Sequence, residues 1–389
     1  VSNKKYEGVK NDVLFIRSTN VRKLLAEVAS KIYKKKPKNL IAVTGTNGKS
    51  SIANFYLQIL KLNKKKVASI GTLGIHTISK KIALENTTLD PLQLGRCLMK
   101  LKEQNVDNVI LEASSHGLKQ FRLDGLKFKT GIFTNLSHDH LDYHKSYKDY
   151  LDSKLHLFKK LLIKNSNIIS DLDIPEHKKI KLIAKKKQLK LNTISNKNGD
   201  LSIISHKYLG EKQLLTINYK KKLYNFELNL IGKIQLKNVL MSMIAANMNN
   251  IDFQKIINIV KKIKPVPGRL EKIGIIKNNS SVILDYAHTP DALRICLQNI
   301  KDQFKNRKIS IVFGCGGQRD KFKRPIMGKI ANKYCDKIYL TDDNPRNENP
   351  KKIRQSIKKK INRSKLYDIS DREKAIGQAI QNLLSGEVL

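Results

Sequence analysis

Apolar positions set a clear rhythm in the first half of the chain. Leu40-Ile41-Ala42-Val43-Thr44 is a strong strand pattern, followed by a glycine turn and a helix-like stretch from Lys49 to about Leu62. Val67-Ala68-Ser69-Ile70 reads as a second strand, and Pro91 opens a helix through about Gln104, since proline suits a first helical turn. Val109-Ile110-Leu111-Glu112 and Gly131-Ile132-Phe133-Thr134 are further strands. Strands alternating with helices predict a parallel sheet covered on both faces, with chemistry at the carboxyl ends of its strands. From about 165 to 230 the pattern weakens into short strands and Lys/Asn-rich turns, read as a peripheral part of the same domain. Lys264-Pro265-Val266-Pro267-Gly268-Arg269 is a stiff punctuation and the expected domain boundary. Beyond it the alternation restarts, with strands expected at 281–285, 308–313 and 337–341 and helices near 290–303, 324–335, 350–362 and 371–384. The expected fold class is α/β: a central parallel-sheet domain over 37–264, then a smaller Rossmann-like domain over 265–389.

Composition narrows the function. The chain has 389 residues, enough for two or three domains, and 40% are hydrophobic. No apolar run approaches the roughly 20 residues a membrane-spanning helix needs, so no membrane partner is expected. The four cysteines, Cys97, Cys296, Cys315 and Cys335, form no CxxC pair, which suits a reducing cytoplasm and argues against a disulfide framework. The formal charge of +43 raises a nucleic-acid reading. Tryptophan is absent, and the lysines recur throughout rather than gathering into a tail or an aromatic-interleaved stripe. No nucleic-acid partner is therefore expected. The charge would still draw in anionic substrates such as nucleotides.

Candidate chemistry sits at the strand ends. In Thr44-Gly45-Thr46-Asn47-Gly48-Lys49-Ser50-Ser51 a glycine loop joins strand to helix. Such a loop lets backbone amides face phosphates, with Lys49 against the outer phosphates and the Ser50 hydroxyl toward magnesium. It is two residues shorter between glycines than the usual GxxxxGK[ST] loop. Glu112-Ala113-Ser114-Ser115-His116 leaves a strand end where a carboxylate is well placed to hold magnesium. Asn135-Leu136-Ser137-His138-Asp139-His140-Leu141-Asp142-Tyr143-His144 admits a structural zinc site or, with the phosphate loop nearby and no cysteine partners, a nucleotide-magnesium site. In the second domain Asp285-Tyr286-Ala287-His288, Gly314-Cys315-Gly316-Gly317-Gln318-Arg319 and Thr341-Asp342-Asp343-Asn344-Pro345-Arg346 follow the three strands. Arg319 and Arg346 are suited to gripping a carboxylate with paired hydrogen bonds.

Taken in order, these motifs resemble the Mur ligases, in particular the branch that adds the third amino acid to a peptidoglycan precursor. The resemblance runs from about residue 12 to the end. It is carried by TGTNGKSS (44–51), NTT (86–88), EASSHGL (112–118), TNLSHDHLDYH (134–144), YLDSKLHLF (150–158), PVPGRLE (265–271), DYAHTPDAL (285–293), FGCGGQRDKFKRPIMG (313–328) and TDDNPR (341–346). It implies a P-loop ATPase domain. It also implies ATP-driven amide formation, in which the free D-glutamate carboxylate of UDP-N-acetylmuramoyl-L-Ala-D-Glu is phosphorylated and then attacked by the amine of meso-diaminopimelate. By the same resemblance, Gly45, Thr46, Asn47, Gly48, Lys49, Ser50, Ser51, Asn238, Arg269 and Asp285 look like the ATP contacts. Ser50 and Glu112 look like ligands of one Mg2+, and His140 with Lys154 like ligands of a second. Lys154 would act there as a carbamate formed with CO2, because an ammonium cannot ligate a cation. Thr87, Thr88, Ser115 and Arg122 look like contacts to the sugar-dipeptide. Arg319, Asn344 and Arg346 match the amino-acid pocket, and the DNPR run resembles the diaminopimelate-adding form rather than the L-lysine form.

The chain also departs from the family pattern. Only 1–36 precedes the ATP domain, read as a remnant of a uridine-nucleotide domain with a helix over Val21–Tyr33, and the end at Gly386-Glu387-Val388-Leu389 falls inside an expected strand. Truncation at both ends is thus expected. Smaller departures are Leu89, Ser51, His138 and Phe322. An L-lysine-adding ligase, a folylpolyglutamate synthetase and an inactive nucleotide-binding fragment are the alternatives, and a monomer is the default state.

Overall fold

The computed structural model of the chain describes residues 7–137, 139–140, 143–276 and 279–389. His138, Leu141 and Asp142 of the His/Asp run lie outside the described residues. An 11-stranded sheet dominates the molecule. Across it the strands run in the order Lys222–Leu228, Lys212–Tyr219, Leu201–Leu209, Lys190–Ser195, Leu162–Asp171, Phe128–Phe133, Asn39–Thr44, Asn108–Glu112, Val67–Gly71, Gly74–His76 and Lys81–Ile82. From Leu201–Leu209 through Val67–Gly71 every neighbour is parallel. The strands outside those two pair antiparallel.

Side-chain alternation explains why the middle strands are buried on both faces. Ile41 and Val43 point into a cluster with Ile52, Tyr56 and Ile59 of the helix Lys49–Leu62 and with Leu236, Val239 and Leu240 of the helix Lys233–Asn247. Leu40 and Ala42 point the other way, among Leu94 and Leu98 of Pro91–Glu103 and Leu151 and Leu155 of Tyr147–His156. Pro91 stands at the first helical position with Asp90 capping the amides of Leu92 and Gln93.

The stretch expected to hold short strands instead extends the same sheet, with strands of 10, 9 and 8 residues at Leu162–Asp171, Leu201–Leu209 and Lys212–Tyr219. Tight two-residue loops make this possible. Tyr219 pairs with Lys222 across Lys220-Lys221, both at positive φ (52° and 62°). That is the mirror-turn geometry whose twist matches a hairpin, but lysine is not its usual residue.

The second unit has a hairpin, Glu271–Ile276 with Ser280–Leu284, and a parallel sheet ordered Ser310–Phe313, Lys337–Leu340, Leu366–Asp368. Val388 bridges the two by pairing with Ser281 and Ile309. Its helices are Pro290–Gln303, Lys323–Tyr334, Pro350–Lys358 and Arg372–Gln381. The third ends before the expected 362, where Asn362 caps a short 3-10 turn instead. Val266 packs into a core cluster of the large sheet and Leu270 into the core of the second unit, so the two cores change over within the PVPGR run. Among the described residues no helix is long and apolar enough to cross a membrane, and the four cysteines are free.

Candidate active site

The glycine loop leaves the central strand Asn39–Thr44 and enters Lys49–Leu62 at Gly48, whose φ of 90° suits glycine. Asn135 holds the loop on its open side. Its Oδ1 accepts from the Asn47 amide at 3.0 Å, and its backbone oxygen accepts from the Thr46 amide at 2.9 Å. The Lys49 ammonium folds back to donate to the carbonyls of Gly45 (3.0 Å) and Thr46 (2.9 Å) rather than extending outward. An ammonium has three donors and takes up nearby carbonyl lone pairs.

Glu112 ends the neighbouring strand and is almost fully buried. Its carboxylate accepts from the Ser50 hydroxyl (3.0 Å), the Thr72 amide (2.9 Å) and the Thr72 hydroxyl (3.2 Å). Burial pushes the Glu112 carboxyl up, opposed by the Lys49 charge and these hydrogen bonds, and burial pushes Lys49 down. Oxygen donors of this kind, a carboxylate beside a serine hydroxyl, suit magnesium.

Lys154 lies on the helix Tyr147–His156 with 1% of its surface exposed. Its ammonium donates to the same Gly45 carbonyl at 2.7 Å and lies 4.4 Å from the centre of the Tyr150 ring. The Tyr150 hydroxyl meets the Thr46 hydroxyl at 3.1 Å. Burial, with the Lys49 charge adding to it, holds the Lys154 amine well below the usual lysine range, and Asp139 partly opposes this. His140, at φ 54°, has its ring 6.2 Å from that of Tyr150 and 4.8 Å from that of His116. Burial above all pushes its imidazole down to about 4. Among the described residues no group of three or more His, Cys, Asp or Glu side chains is arranged to hold a metal, so the His/Asp run does not assemble a zinc-type cluster there.

A second set surrounds the backbone of Glu112. The Thr88 hydroxyl donates to the Glu112 carbonyl at 2.8 Å, Arg122 Nη1 donates to the Thr88 carbonyl at 2.6 Å, and the Thr87 and Thr72 hydroxyls meet at 3.0 Å. The Ser115 hydroxyl is buried with no protein partner. A third set reaches toward the second unit. Asn238 packs against Gly48, where an added Cβ would come within 2.6 Å of its Oδ1. Its amide donates to Gln235 Oε1 at 3.1 Å, and Gln235 Nε2 donates to the Arg269 carbonyl at 2.9 Å. The Arg269 guanidinium lies 4.5 Å from the centre of the Tyr286 ring, and Asp285 accepts from the amides of Leu270 and Ala287, both at 2.8 Å.

Arg319, Asn344 and Arg346 line one cavity of about 1450 Å³, and Asp139 and His140 line it from the large-sheet unit. Arg346 Nη1 donates to the Gly317 carbonyl at 2.7 Å. The expected residues thus gather into two neighbourhoods, the loop with its strand ends and the second unit's strand ends, and Asp139 and His140 of the first line the cavity that holds the second. Thr72, Asn135, Gln235 and Tyr150 are integral to the first, yet the sequence alone gives none of them a role. Asn135 and Tyr150 stand inside the TNLSHDHLDYH and YLDSKLHLF runs, whose His, Asp and Lys residues carry the more evident chemistry. Thr72 and Gln235 belong to no motif, and only their tertiary contacts mark them.

Comparison with known proteins places these features in a family. The sequence profile of the Mur ligase middle domain matches residues 43–246, and that of the Mur ligase glutamate ligase domain matches 268–389. A Rickettsia bellii (strain RML369-C) protein named UDP-N-acetylmuramoyl-L-alanyl-D-glutamate--2,6-diaminopimelate ligase is 40% identical over 388 residues, 98% of this chain and 80% of that protein. A solved structure of a ligase with the same name aligns at TM-score 0.72 and 32% identity, covering 98% of this chain and 78% of that one. A Mycobacterium tuberculosis folylpolyglutamate synthase shares the fold at TM-score 0.76 with 14% identity, over 93% of this chain and 88% of that one.

Proposed function

The chain belongs to the Mur ligase family, the ATP-dependent amide-forming ligases, and on that premise we propose that it joins meso-2,6-diaminopimelate to UDP-N-acetylmuramoyl-L-alanyl-D-glutamate in peptidoglycan precursor synthesis. The observation that carries this reading is the shared cavity. Asp139 and His140, beside the phosphate loop, line the same space as Arg319, Asn344 and Arg346. A phosphorylated carboxylate made at one side would therefore lie within reach of an amine held at the other. In this reading residues 37–264 form the ATP-binding ligase domain and 265–389 the amino-acid-binding domain.

The reaction divides between the two neighbourhoods. Amides of Gly45–Gly48 and the Lys49 ammonium bind the ATP phosphates, and Lys49 stabilises the charge on the phosphoryl group as it passes to the D-glutamate carboxylate. Asn238, Arg269 and Asp285 hold the nucleoside end. Thr87, Thr88, Ser115 and Arg122 orient the sugar-dipeptide. The unpartnered Ser115 hydroxyl supports that role. Arg319, Asn344 and Arg346 hold diaminopimelate, with Arg346 pairing its distal carboxylate. The free amine then attacks the acyl phosphate, loses a proton, and phosphate departs as the amide forms. Ser50 with Glu112, and His140 with Lys154 as its CO2 carbamate, would hold two magnesium ions. Bound magnesium neutralises charge on the transferring phosphoryl oxygens. The depressed Lys154 amine supports the carbamate, since only the neutral amine combines with CO2. The proposed setting is a cytoplasmic monomer.

The test is a competition assay with ATP, magnesium, bicarbonate, the UDP-sugar dipeptide, and equal meso-diaminopimelate and L-lysine, with products weighed by mass spectrometry. A diaminopimelate adduct is expected. An L-lysine adduct would overturn the role given to Arg346, and no adduct with either amine would count against ligase activity in this chain.

A further inference from the structure

In the second unit the glycine turn that carries Arg319 and the loop that carries Arg346 are zipped together. The Gly317 amide donates to the Asn344 carbonyl at 2.9 Å, and Arg346 Nη1 returns to the Gly317 carbonyl at 2.7 Å. The contact is so close that a Cβ at Gly317 would fall 1.9 Å from the Pro345 carbonyl oxygen. At the closed end of this zip sits Glu348. Its carboxylate accepts from the backbone amide of Gln318, the residue just before Arg319, which is itself held at φ 51°. The same carboxylate meets Arg324 Nη2 at 3.0 Å. Arg324 belongs to the helix Lys323–Tyr334, is 4% exposed, and also reaches the Gly316 carbonyl at 3.4 Å. A guanidinium buried to that degree needs a counter-charge, because leaving it unpaired costs more than the pair itself contributes.

One carboxylate therefore ties three segments: the glycine turn, the helix that follows it, and the loop two residues after Arg346. We infer that Glu348, seated on Arg324, is a positioning residue that sets the spacing of the Arg319 and Arg346 side chains and so tunes recognition of the incoming amino acid's carboxylate. Glu348 touches neither the phosphate loop nor the Glu112 and Lys154 neighbourhood. Its loss should weaken amino-acid binding and spare ATP binding. The inference rests on the proposed assignment of Arg319 and Arg346 to the amino-acid pocket.

The experiment compares the full chain with Glu348→Gln, with the double change Glu348→Gln/Arg324→Met, and with Arg346→Ala. The readouts are KM for meso-diaminopimelate, KM for ATP, melting temperature, and calorimetric titration of diaminopimelate, which needs no turnover. Glu348→Gln keeps an acceptor for the Gln318 amide but removes the charge opposite Arg324. It should raise KM, or Kd, for diaminopimelate about tenfold, the scale of a small misplacement of a binding group, and leave KM for ATP unchanged. The double change removes the stranded charge and should restore melting temperature without restoring amino-acid affinity. Unchanged diaminopimelate affinity in Glu348→Gln, with a loss in Arg346→Ala, would overturn this inference alone. Both KM values rising together with a fall in melting temperature, both reversed by the double change, would reduce Glu348 to a stabilising role and overturn it as well. Wild-type affinity in Arg346→Ala, or no diaminopimelate binding by the unmodified chain, would instead overturn the pocket assignment beneath it.

Discussion

Lys154 is one of 76 lysines and arginines, yet it is buried beneath the phosphate loop, with a carbonyl and an aromatic ring for company. Burying that amine favours its neutral form, so the unfolded chain binds its proton more tightly than the folded one. The sign of the linkage follows. Folding stability must rise with pH between the depressed folded value and the ordinary lysine value near 10.4. In bicarbonate-free buffer the melting temperature should therefore climb from pH 7 toward pH 9 more steeply for the native chain than for Lys154→Met. That variant should be the more stable of the two at pH 7 and lose ligase activity by about a hundredfold or more. Equal slopes for the two proteins would show that Lys154 keeps an ordinary amine. The residue could be found in the sequence only by its place in YLDSKLHLF, since lysine is too common here to be informative alone. Its neighbour Tyr150 opens the same run, but the run does not reveal what the tyrosine hydroxyl does. Its ring lies under the ammonium four residues on along the same helix, but its hydroxyl meets Thr46 across 104 residues of chain, and no local pattern encodes that contact.

At the scale of elements, legibility tracked burial. The strands Asn39–Thr44, Val67–Gly71 and Asn108–Glu112 stand out because both faces are covered and the apolar run is continuous. The outer strands are half-buried. Lys212–Tyr219 alternates buried with exposed residues, and its lysine- and asparagine-rich flanks look like loop. The Lys220-Lys221 turn hides best of all, because side chains at positive φ are expected to be glycine or asparagine. Replacing the pair with Asn-Gly should relieve that conformation and stabilise the protein by about 1 kcal/mol, read as a later urea midpoint. An earlier midpoint would mean that the Lys220 contacts to Asn247 and the Tyr219 ring outweigh the backbone. Glu271–Ile276 reads as no strand in the sequence, whereas Ser280–Leu284, Ser310–Phe313 and Lys337–Leu340 were visible as short apolar runs. Leu366–Asp368 was not, being three residues long and defined only by its pairing with Lys337–Leu340.

Across the whole molecule the net charge of +43 is a self-repulsion spread over the surface, only partly offset by ion pairs such as Lys102–Asp107 and Lys119–Asp149. Salt screens repulsion between surface charges separated by more than about 10 Å at about 0.1 M. Melting temperature should therefore rise as sodium chloride goes from about 20 to about 300 mM, where a surface of balanced charge would show little change. A falling melting temperature would mean that attractive pairs dominate instead. The strand order of the large sheet carries a consequence for how the protein is made. Asn39–Thr44, Val67–Gly71, Asn108–Glu112 and Phe128–Phe133 complete the centre, and every later strand to Leu228 joins the same side in the order in which it is synthesised. A chain emerging from the ribosome thus meets a finished edge each time a new strand appears. On that side only one open edge awaits a partner at any moment, which limits the chance of pairing with a neighbouring nascent chain.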